Sequence, residues 1–200
     1  MRRVALIMMA AIAVALLAMA APQPGQPAPD FTVTDSNGHT QKLSEYRGKF
    51  VVLEWTNSGC PFTKKHYDSG NMQKLQKEWT SKGVVWLTVL SSAQGKQGYK
   101  TAAEENAYVT QVGASPTAVL LDPGGQLGHL YGAKTTPHIF IIDPTGKLIY
   151  DGAIDNKPTT DQGDIAGADN YLSDALSAAM SGQQVAKAST QPYGCSVKYQ

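Results

Sequence analysis

The chain has 200 residues, a formal net charge of +1 at pH 7 and two cysteines. This length is typical of one globular domain with short additional segments. A net charge near zero supplies no basic field for nucleic acid or for an anionic membrane surface, so we expect neither as a partner.

The N-terminal segment has the pattern of a secretory signal peptide. Arg2 and Arg3 form a short basic region, residues 4–21 are apolar, and Ala18-Met19-Ala20 offers a small-residue cleavage site. We expect residues 1–20 to be removed and the protein to be periplasmic or secreted, in the cell envelope of a bacterium, with no membrane contact afterwards. The alternative is a retained anchor helix, because the apolar run is about long enough to span a bilayer.

Strands and helices are predicted to alternate in the first part of the chain. Apolar, β-branched runs bounded by turn signals indicate strands, and apolar residues at helical spacing indicate helices. The predicted strands cover residues 31–34, 50–55, 84–90 and 119–121, and the predicted helices cover residues 61–82 and 101–112. Gly70-Asn71 is a candidate break in the first helix. Alternation of this kind favours parallel pairing of the strands.

The second part of the chain begins with a predicted hairpin. Its strands cover residues 139–142 and 148–151 and are joined by an Asp-Pro-Thr-Gly turn, which favours an antiparallel sheet edge. A closing helix is predicted at residues 169–180. We therefore expect an α/β fold over residues 21–182, with a mixed central sheet and helices on both faces, followed by a C-terminal tail at residues 183–200.

Cys60 lies where a predicted strand turns into a predicted helix. Gly59 precedes it and Pro61 follows it, and proline is favoured at the first position of a helix. Free backbone N–H groups and the positive end of the helix dipole would then surround the sulfur and favour the thiolate. Cys60 is therefore a candidate nucleophile.

Two further sequence features are candidates for the same site as Cys60. Glu54 is an acid in an otherwise apolar strand, six residues before Cys60. It is either a buried proton-transfer group with a raised pKa or the ion-pair partner of a lysine such as Lys49 or Lys147. Thr136-Pro137 stands just before the first hairpin strand, where a cis X–Pro bond is one way to keep proline out of the hydrogen-bonded ladder.

Four motifs follow one another in a characteristic order. They are Ala28-Pro29-Asp30-Phe31, Leu43-x4-Gly48-Lys49, Glu54-x5-Cys60-Pro61 and Tyr131-Gly132-x3-Thr136-Pro137. In this order they resemble the thioredoxin-fold superfamily, and within it the redoxin branch, the alkyl hydroperoxide reductase/thiol-specific antioxidant group. The resemblance covers about residues 26–182.

The resemblance implies a three-layer thioredoxin-like fold and a redox site around Cys60. By this resemblance Pro137 is cis and packs beside Cys60, and Thr136 offers its backbone to a bound thiol. We place Thr136, Pro137 and Thr63 at the substrate-binding surface. Glu54 corresponds to the buried acid of the superfamily.

The chain differs from well-known members of the superfamily around Cys60. Thr63 stands where thioredoxin-like disulfide enzymes have the second cysteine of Cys-x-x-Cys. Asn57 and Leu53 stand where peroxiredoxins have threonine and proline. No arginine follows Arg47, so a lysine would have to supply positive charge without the planar, bidentate fork of a guanidinium group.

Cys195 lies in the tail, after a Pro-containing stretch. If the tail folds back, Cys195 is the resolving thiol that forms a disulfide with Cys60. The alternative is a purely structural disulfide, worth about 5 kcal/mol in the chain-entropy model. His66 and His138 are expected to be ordinary histidines, although together with Cys60 they are a candidate copper site.

We therefore expect an exported redox protein with antioxidant or thiol oxidoreductase activity, in which Cys60, Cys195 and Glu54 are catalytic. Its partner would be a protein thiol or disulfide that serves as electron donor, or a hydroperoxide substrate. No cofactor and no metal ion are expected. The alternative function is a non-enzymatic redox-sensing or metal-binding module with a structural Cys60–Cys195 disulfide.

Overall fold

The computed structural model describes residues 21–200. The predicted signal peptide, residues 1–20, lies outside the described residues. Between residues 21 and 200 no helix is both long enough and apolar enough to cross a membrane.

Residues 21–200 contain nine strands, five α-helices and two 3-10 helices. The strands are β1 (Thr32–Thr34), β2 (Thr40–Lys42), β3 (Val51–Trp55), β4 (Val85–Leu90), β5 (Ala118–Leu121), β6 (Thr135–Thr136), β7 (His138–Ile142), β8 (Leu148–Gly152) and β9 (Cys195–Ser196). The α-helices are α1 (Pro61–Asp68), α2 (Asn71–Ser81), α3 (Ala102–Val112), α4 (Gln126–Tyr131) and α5 (Tyr171–Met180). Two 3-10 helices cover Leu43–Tyr46 and Gln162–Gly167.

The central sheet has five strands in the order β5-β4-β3-β7-β8. Strand β4 runs parallel to both β3 and β5, whereas β7 is antiparallel to both β3 and β8. The predicted mixed sheet is thereby confirmed. Every residue of β3 is buried, as expected for a central strand covered on both faces.

Two apolar clusters lie on opposite faces of the sheet. Side chains of α1, α2 and α5, among them Tyr67, Trp79 and Leu176, pack in one cluster with Val52 of β3. Leu127 and Tyr131 of α4 pack in the other cluster, together with residues of the opposite face of β3. The alternation of side chains along β3 therefore gives the predicted three-layer α/β fold.

The structure differs from the sequence prediction in one helix that is divided in two and in several very short elements. The predicted helix over residues 61–82 is two helices, because Gly70 adopts a left-handed conformation (φ 77°) between α1 and α2. Helix α4 was not predicted, since six residues carry little periodic signal. Strands β6 and β9 were not predicted either, because each has two residues and exists only by pairing with the other.

Candidate redox site

Cys60 caps the N-terminus of α1. Its backbone is extended (φ −84°, ψ 124°), and Pro61 occupies the first turn of the helix, as the sequence predicts. The residue is fully buried, with 0% of its surface exposed. The sulfur therefore lies at the positive end of a helix dipole but has no direct contact with bulk solvent.

The end of the tail covers Cys60. We call residues 188–199 the strap, because this segment crosses the sheet edge and the site. It is held to β8 by a bond from Asp151 N to Ala188 O (3.0 Å) and by one from Thr190 N to Asp151 O (3.1 Å). Beyond Cys195, Lys198 O accepts a hydrogen bond from Ala93 N (2.8 Å). The strap is thus an integral part of the folded domain.

The strap brings the two cysteines together. The backbone N–H of Cys195 points to the Cys60 sulfur, with 3.4 Å between N and Sγ. Both residues are free thiols. Cys195 is partly exposed, whereas Cys60 is not. The structure therefore places the two predicted redox residues side by side, and the disulfide between them remains a prediction.

The pKa values of the two thiols are shifted in opposite directions. Burial alone would raise the pKa of Cys60, but hydrogen bonds to its sulfur outweigh burial and lower that pKa. The donors are the Cys195 thiol, the Thr63 backbone N–H, the Thr136 side chain and the Cys195 backbone N–H. Burial and the neighbouring Cys60 sulfur raise the pKa of Cys195. Cys60 is therefore the more acidic thiol of the pair, and Cys195 is the thiol that donates to its sulfur.

Thr136 and Pro137 form the second wall of the site. Their peptide bond is cis, as predicted. The Thr136 carbonyl oxygen lies 3.0 Å from the Cys60 sulfur and accepts a hydrogen bond from the protonated thiol, so this one contact favours the thiol form. Thr136 also pairs with Cys195 across the β6–β9 ladder. The segment before the cis proline thus contacts both cysteines.

Gly194 makes the close approach of the strap possible. Its φ is 137°, and a Cβ atom at this position would lie 2.2 Å from the Thr136 carbonyl oxygen. A residue with a side chain would have to move the strap away from β6. This requirement could have been suspected from the sequence, where Gly194 directly precedes the second cysteine.

Thr63 occupies the place of a second local cysteine. It is fully buried, and its backbone N–H donates to the Cys60 sulfur. Its hydroxyl oxygen has no hydrogen-bond partner within residues 21–200. Thr63 therefore supports the thiolate through its backbone, while contact of its side chain with a substrate remains a prediction.

Glu54 is buried among neutral hydrogen-bond donors. The donors are Tyr67 Oη (2.8 Å), Trp86 Nε1 (2.8 Å), Gln76 Nε2 (3.2 Å) and Thr88 Oγ1 (3.2 Å). The expected ion pair with Lys49 or Lys147 is absent from the described residues, so that alternative is wrong. Burial outweighs the four hydrogen bonds and raises the pKa of Glu54 to about 7, which confirms the expected direction.

No hydrogen bond in the described chain joins Glu54 to Cys60. The side chain of Glu54 lies on the face of the sheet that α2 covers, since its partner Gln76 belongs to that helix. Its catalytic role therefore remains a prediction. A carboxyl group whose pKa is close to neutrality can nonetheless hold or release a proton under physiological conditions.

A buried charge cluster lies beside the site and was missed by the sequence analysis. Lys65 Nζ and His66 Nε2 of α1 each lie 3.9 Å from Asp155 Oδ2. Tyr193 of the strap donates its hydroxyl to Asp155 Oδ1. No sequence motif joins these residues, although an adjacent Lys-His pair on a helix that packs against a sheet is a weak signal of a buried charge.

The histidines do not form a metal site with Cys60. His66 contacts Asn71 and Tyr193, while His138 accepts from Lys134 N (3.1 Å) and pairs with Asp151 (2.8 Å). Across residues 21–200 no group of three or more His, Cys, Asp or Glu side chains could hold a metal ion.

Comparison with known proteins identifies the family. Residues 24–151 match the model of the AhpC/TSA family. The chain belongs to this family. The matched region of this AhpC/TSA protein contains Cys60, Glu54 and Thr136-Pro137 but ends before the strap, so Cys195 lies outside it.

Individual relatives of the AhpC/TSA protein include thiol-disulfide enzymes. Thiol-disulfide oxidoreductase ResA of Bacillus thuringiensis subsp. konkukian is 29% identical over 125 residues, which are 62% of this chain and 66% of that protein. The aligned region therefore spans slightly less than two thirds of the relative's length.

Solved structures with the same fold include proteins with and without an assigned activity. A putative thiol:disulfide interchange protein DsbE from Chlorobium tepidum is 29% identical, with a TM-score of 0.53, and the match covers 66% of this chain and 85% of that one. A hypothetical protein from Sinorhizobium meliloti has a TM-score of 0.77 at 23% identity, covering 90% of this chain and 97% of that one. The second likeness concerns the fold alone.

Proposed function

We propose that this AhpC/TSA protein is an exported thiol–disulfide oxidoreductase in which Cys60 and Cys195 are the exchanging pair. The observation that carries the proposal is the contact of the Cys195 N–H with the Cys60 sulfur at 3.4 Å. A thiolate at a helix N-terminus next to a second thiol has the components that disulfide exchange requires. The relationship to ResA and to the DsbE-like structure supports the same reaction class.

The exchange proceeds in two displacements. The Cys60 thiolate attacks one sulfur of a partner disulfide, forms a mixed disulfide and releases the other partner sulfur as a thiolate. Cys195 then gives up its proton, and its sulfur attacks Cys60 Sγ and expels the remaining partner thiolate. The partner is reduced by two electrons, and the Cys60–Cys195 disulfide holds the oxidising equivalents. An external dithiol reverses these steps by two displacements and leaves as a disulfide, so that Cys60 and Cys195 are again thiols.

Movement of the strap is part of this proposal. Cys60 is fully buried beneath the strap, so a partner disulfide reaches it only when residues around Cys195 shift outward. The β6–β9 ladder contains only two residue pairs, so moving the residues around Cys195 breaks far fewer contacts than unfolding the domain. The proposed partner is a protein thiol or disulfide in a segment exposed enough to reach Cys60, a partner class that the relationship to ResA and to the DsbE-like structure supports.

Peroxide reduction, the antioxidant alternative, has less support. Arg47 lies against Thr145, and its guanidinium donates to the Thr145 carbonyl oxygen rather than to Cys60. Asn57 turns its side chain to the backbone of Gly59 and Gln97. Neither residue offers the charged donor pair that would bind a peroxide beside the sulfur.

The experiment uses the protein without residues 1–20 and a peptide with one disulfide. Reduced wild type is expected to reduce the peptide and to accumulate one intramolecular disulfide. Cys60→Ser is expected to abolish the reaction, whereas Cys195→Ser is expected to stop at a mixed disulfide on Cys60. Wild type that reacts no faster than Cys60→Ser would overturn the proposal, and rapid oxidation by hydrogen peroxide in its place would favour the peroxidase.

Export is tested separately. If residues 1–20 direct secretion, a bacterium that expresses the full chain should contain a shortened protein in its periplasm or medium. Mass spectrometry of that protein should show an N-terminus after Ala20. Uncleaved protein in the membrane fraction would support the retained anchor.

A further inference from the structure

The buried charge cluster connects the helix of Cys60 to the strap of Cys195. Lys65 and His66 belong to α1, which begins directly after Cys60. Asp155 follows β8, and Tyr193 stands two residues before Cys195. The cluster thus joins the two segments that carry the cysteines through side chains that neither displacement step uses.

The cluster is costly to bury. The side chains of Lys65 and Asp155 are 0% and 2% exposed. Removing two charges from water carries a large free-energy penalty, and an ion pair rarely returns all of that energy. The ion pair of Lys65 with Asp155 is therefore weak evidence for stability, and the geometry that it imposes on the strap is the property to test.

Tyr193 is the strap's contribution to this cluster. Its hydroxyl donates to Asp155 Oδ1 and lies 3.4 Å from His66 Nε2. The Lys65 ammonium nitrogen lies 5.8 Å from the centre of the Tyr193 ring, and Phe62 of α1 meets the same ring edge to face at 5.9 Å. One side chain of the strap is therefore fixed by polar, cationic and aromatic contacts at the same time.

We propose that Tyr193 is a positioning residue whose hydrogen bond to Asp155 fixes the strap so that Cys195 meets Cys60. This inference rests on the proposed exchange between the two cysteines. Only Gly194 separates Tyr193 from Cys195, so the Cα atoms of Tyr193 and Cys195 are at most about 7 Å apart, the span of two residues of extended chain. A displacement of Tyr193 therefore moves Cys195 with it and removes the donors that Cys195 offers to the Cys60 sulfur.

The experiment compares Tyr193→Phe with Tyr199→Phe. Tyr199 also belongs to the strap, and its hydroxyl donates to Ala133 O (2.7 Å), but it contacts neither the charge cluster nor the cysteines in the described structure. Both variants lose one hydroxyl and keep the ring, so both are expected to fold. Two quantities are measured: the equilibrium constant of the Cys60–Cys195 disulfide against glutathione, and the Cys60 pKa from thiolate absorbance. Thermal unfolding is recorded for both variants.

Tyr193→Phe is expected to lower the disulfide equilibrium constant about tenfold, the effect of one hydrogen bond to a charged group. It is also expected to raise the Cys60 pKa, while Tyr199→Phe changes neither quantity by more than about twofold. Equal effects of the two variants, or a lower melting temperature for Tyr193→Phe with unchanged redox quantities, would overturn the proposal.

Failure of the proposed function has a different signature. Neither measured quantity requires a partner, so wild type that fails to reduce a peptide disulfide leaves the comparison of the two variants intact. If wild type forms no internal disulfide at all, the exchange is overturned, and the Cys60 pKa alone decides whether Tyr193 positions the strap.

Discussion

Cys195 donates its backbone N–H to the sulfur of Cys60 across a separation of 135 residues. The same residue pairs with Thr136, whose peptide bond to Pro137 is cis. The two thiols and the segment before the cis proline therefore form one site, although the family match ends at residue 151. This relationship between Cys60 and Cys195 leads to the first prediction.

Replacing Cys195 is expected to change the acidity of Cys60 according to the donor that remains. Cys195→Ala removes the thiol donor and should raise the Cys60 pKa by about one unit, the value of one hydrogen bond to a thiolate. Cys195→Ser keeps a hydroxyl donor and should raise it less. Thiolate absorbance against pH measures both values. Wild-type acidity in the alanine variant would contradict the assigned hydrogen bond.

Gly194→Ala is expected to lift the strap from Cys60. A Cβ atom would lie 2.2 Å from the Thr136 carbonyl oxygen, so the strap has to move or the backbone has to strain. Overpacking of this kind costs about 1 to 3 kcal/mol, and alkylation of Cys60 at pH 9 should accelerate about tenfold or more. Peptide mapping by mass spectrometry follows the modified residue.

Gly182→Ala is the matched control for this prediction. Gly182 also has a positive φ (+73°), but a Cβ there would have no heavy atom within 4 Å. The control should lose stability through backbone strain and leave the alkylation rate of Cys60 unchanged. Equal acceleration in both variants would mean that general loosening, rather than the strap, exposes Cys60.

Glu54→Gln is expected to remove one of two opposing contributions to the pH dependence of stability. Burial raises the pKa of Glu54 from 4.5 to about 7, so the folded protein retains a proton that the unfolded chain releases. The contribution of Glu54 to the free energy of unfolding should therefore fall by about 3 kcal/mol as the pH rises through this interval. Urea unfolding at pH 5 and pH 8 should show that the variant gains stability relative to wild type only at pH 8. An equal difference at both values would contradict the raised pKa.

His66→Gln is expected to remove the opposing contribution to the pH dependence of stability, the one that is lost as the pH falls. Burial lowers the pKa of His66 from 6.5 to about 4, so the unfolded chain binds a proton that the folded protein excludes. The contribution of His66 to the free energy of unfolding should therefore fall by about 3 kcal/mol as the pH falls from about 6.5 to about 4. The variant should resist acid better than wild type. Identical acid unfolding of the two proteins would refute this assignment.

The contributions of Glu54 and His66 nearly cancel in wild type between pH 4.5 and pH 6.5. Glu54 stabilises the folded state as the pH falls through this interval, whereas His66 destabilises it. A flat stability profile is therefore expected for wild type there. The Glu54→Gln variant should become acid-labile, and the His66→Gln variant should become more stable as the pH falls.

Local sequence determined the sheet, the longer helices and the chemistry at Cys60. Alternation of apolar strands with amphipathic helices is a property of neighbouring residues, and it was enough to predict the mixed sheet with helices on both faces. The Gly59-Cys60-Pro61 sequence likewise placed a cysteine at a helix N-terminus, because proline sets the helix start through its own geometry. The position of Pro137 before a strand left a cis bond as one option, and the family resemblance selected that option, which the structure has.

Only the tertiary structure decided which groups surround those residues. The neutral donors around Glu54, the cluster of Lys65 with Asp155 and Tyr193, and the strap over Cys60 all join residues far apart in the chain. Strands β6 and β9 are too short to have a local signal and form only when the folded sheet brings their backbones together. The sequence predicted a reactive cysteine with a distant candidate partner. Burial and long-range hydrogen bonding, which depend on the whole fold, decided that the partner lies against it and that Cys60 is the more acidic thiol of the pair.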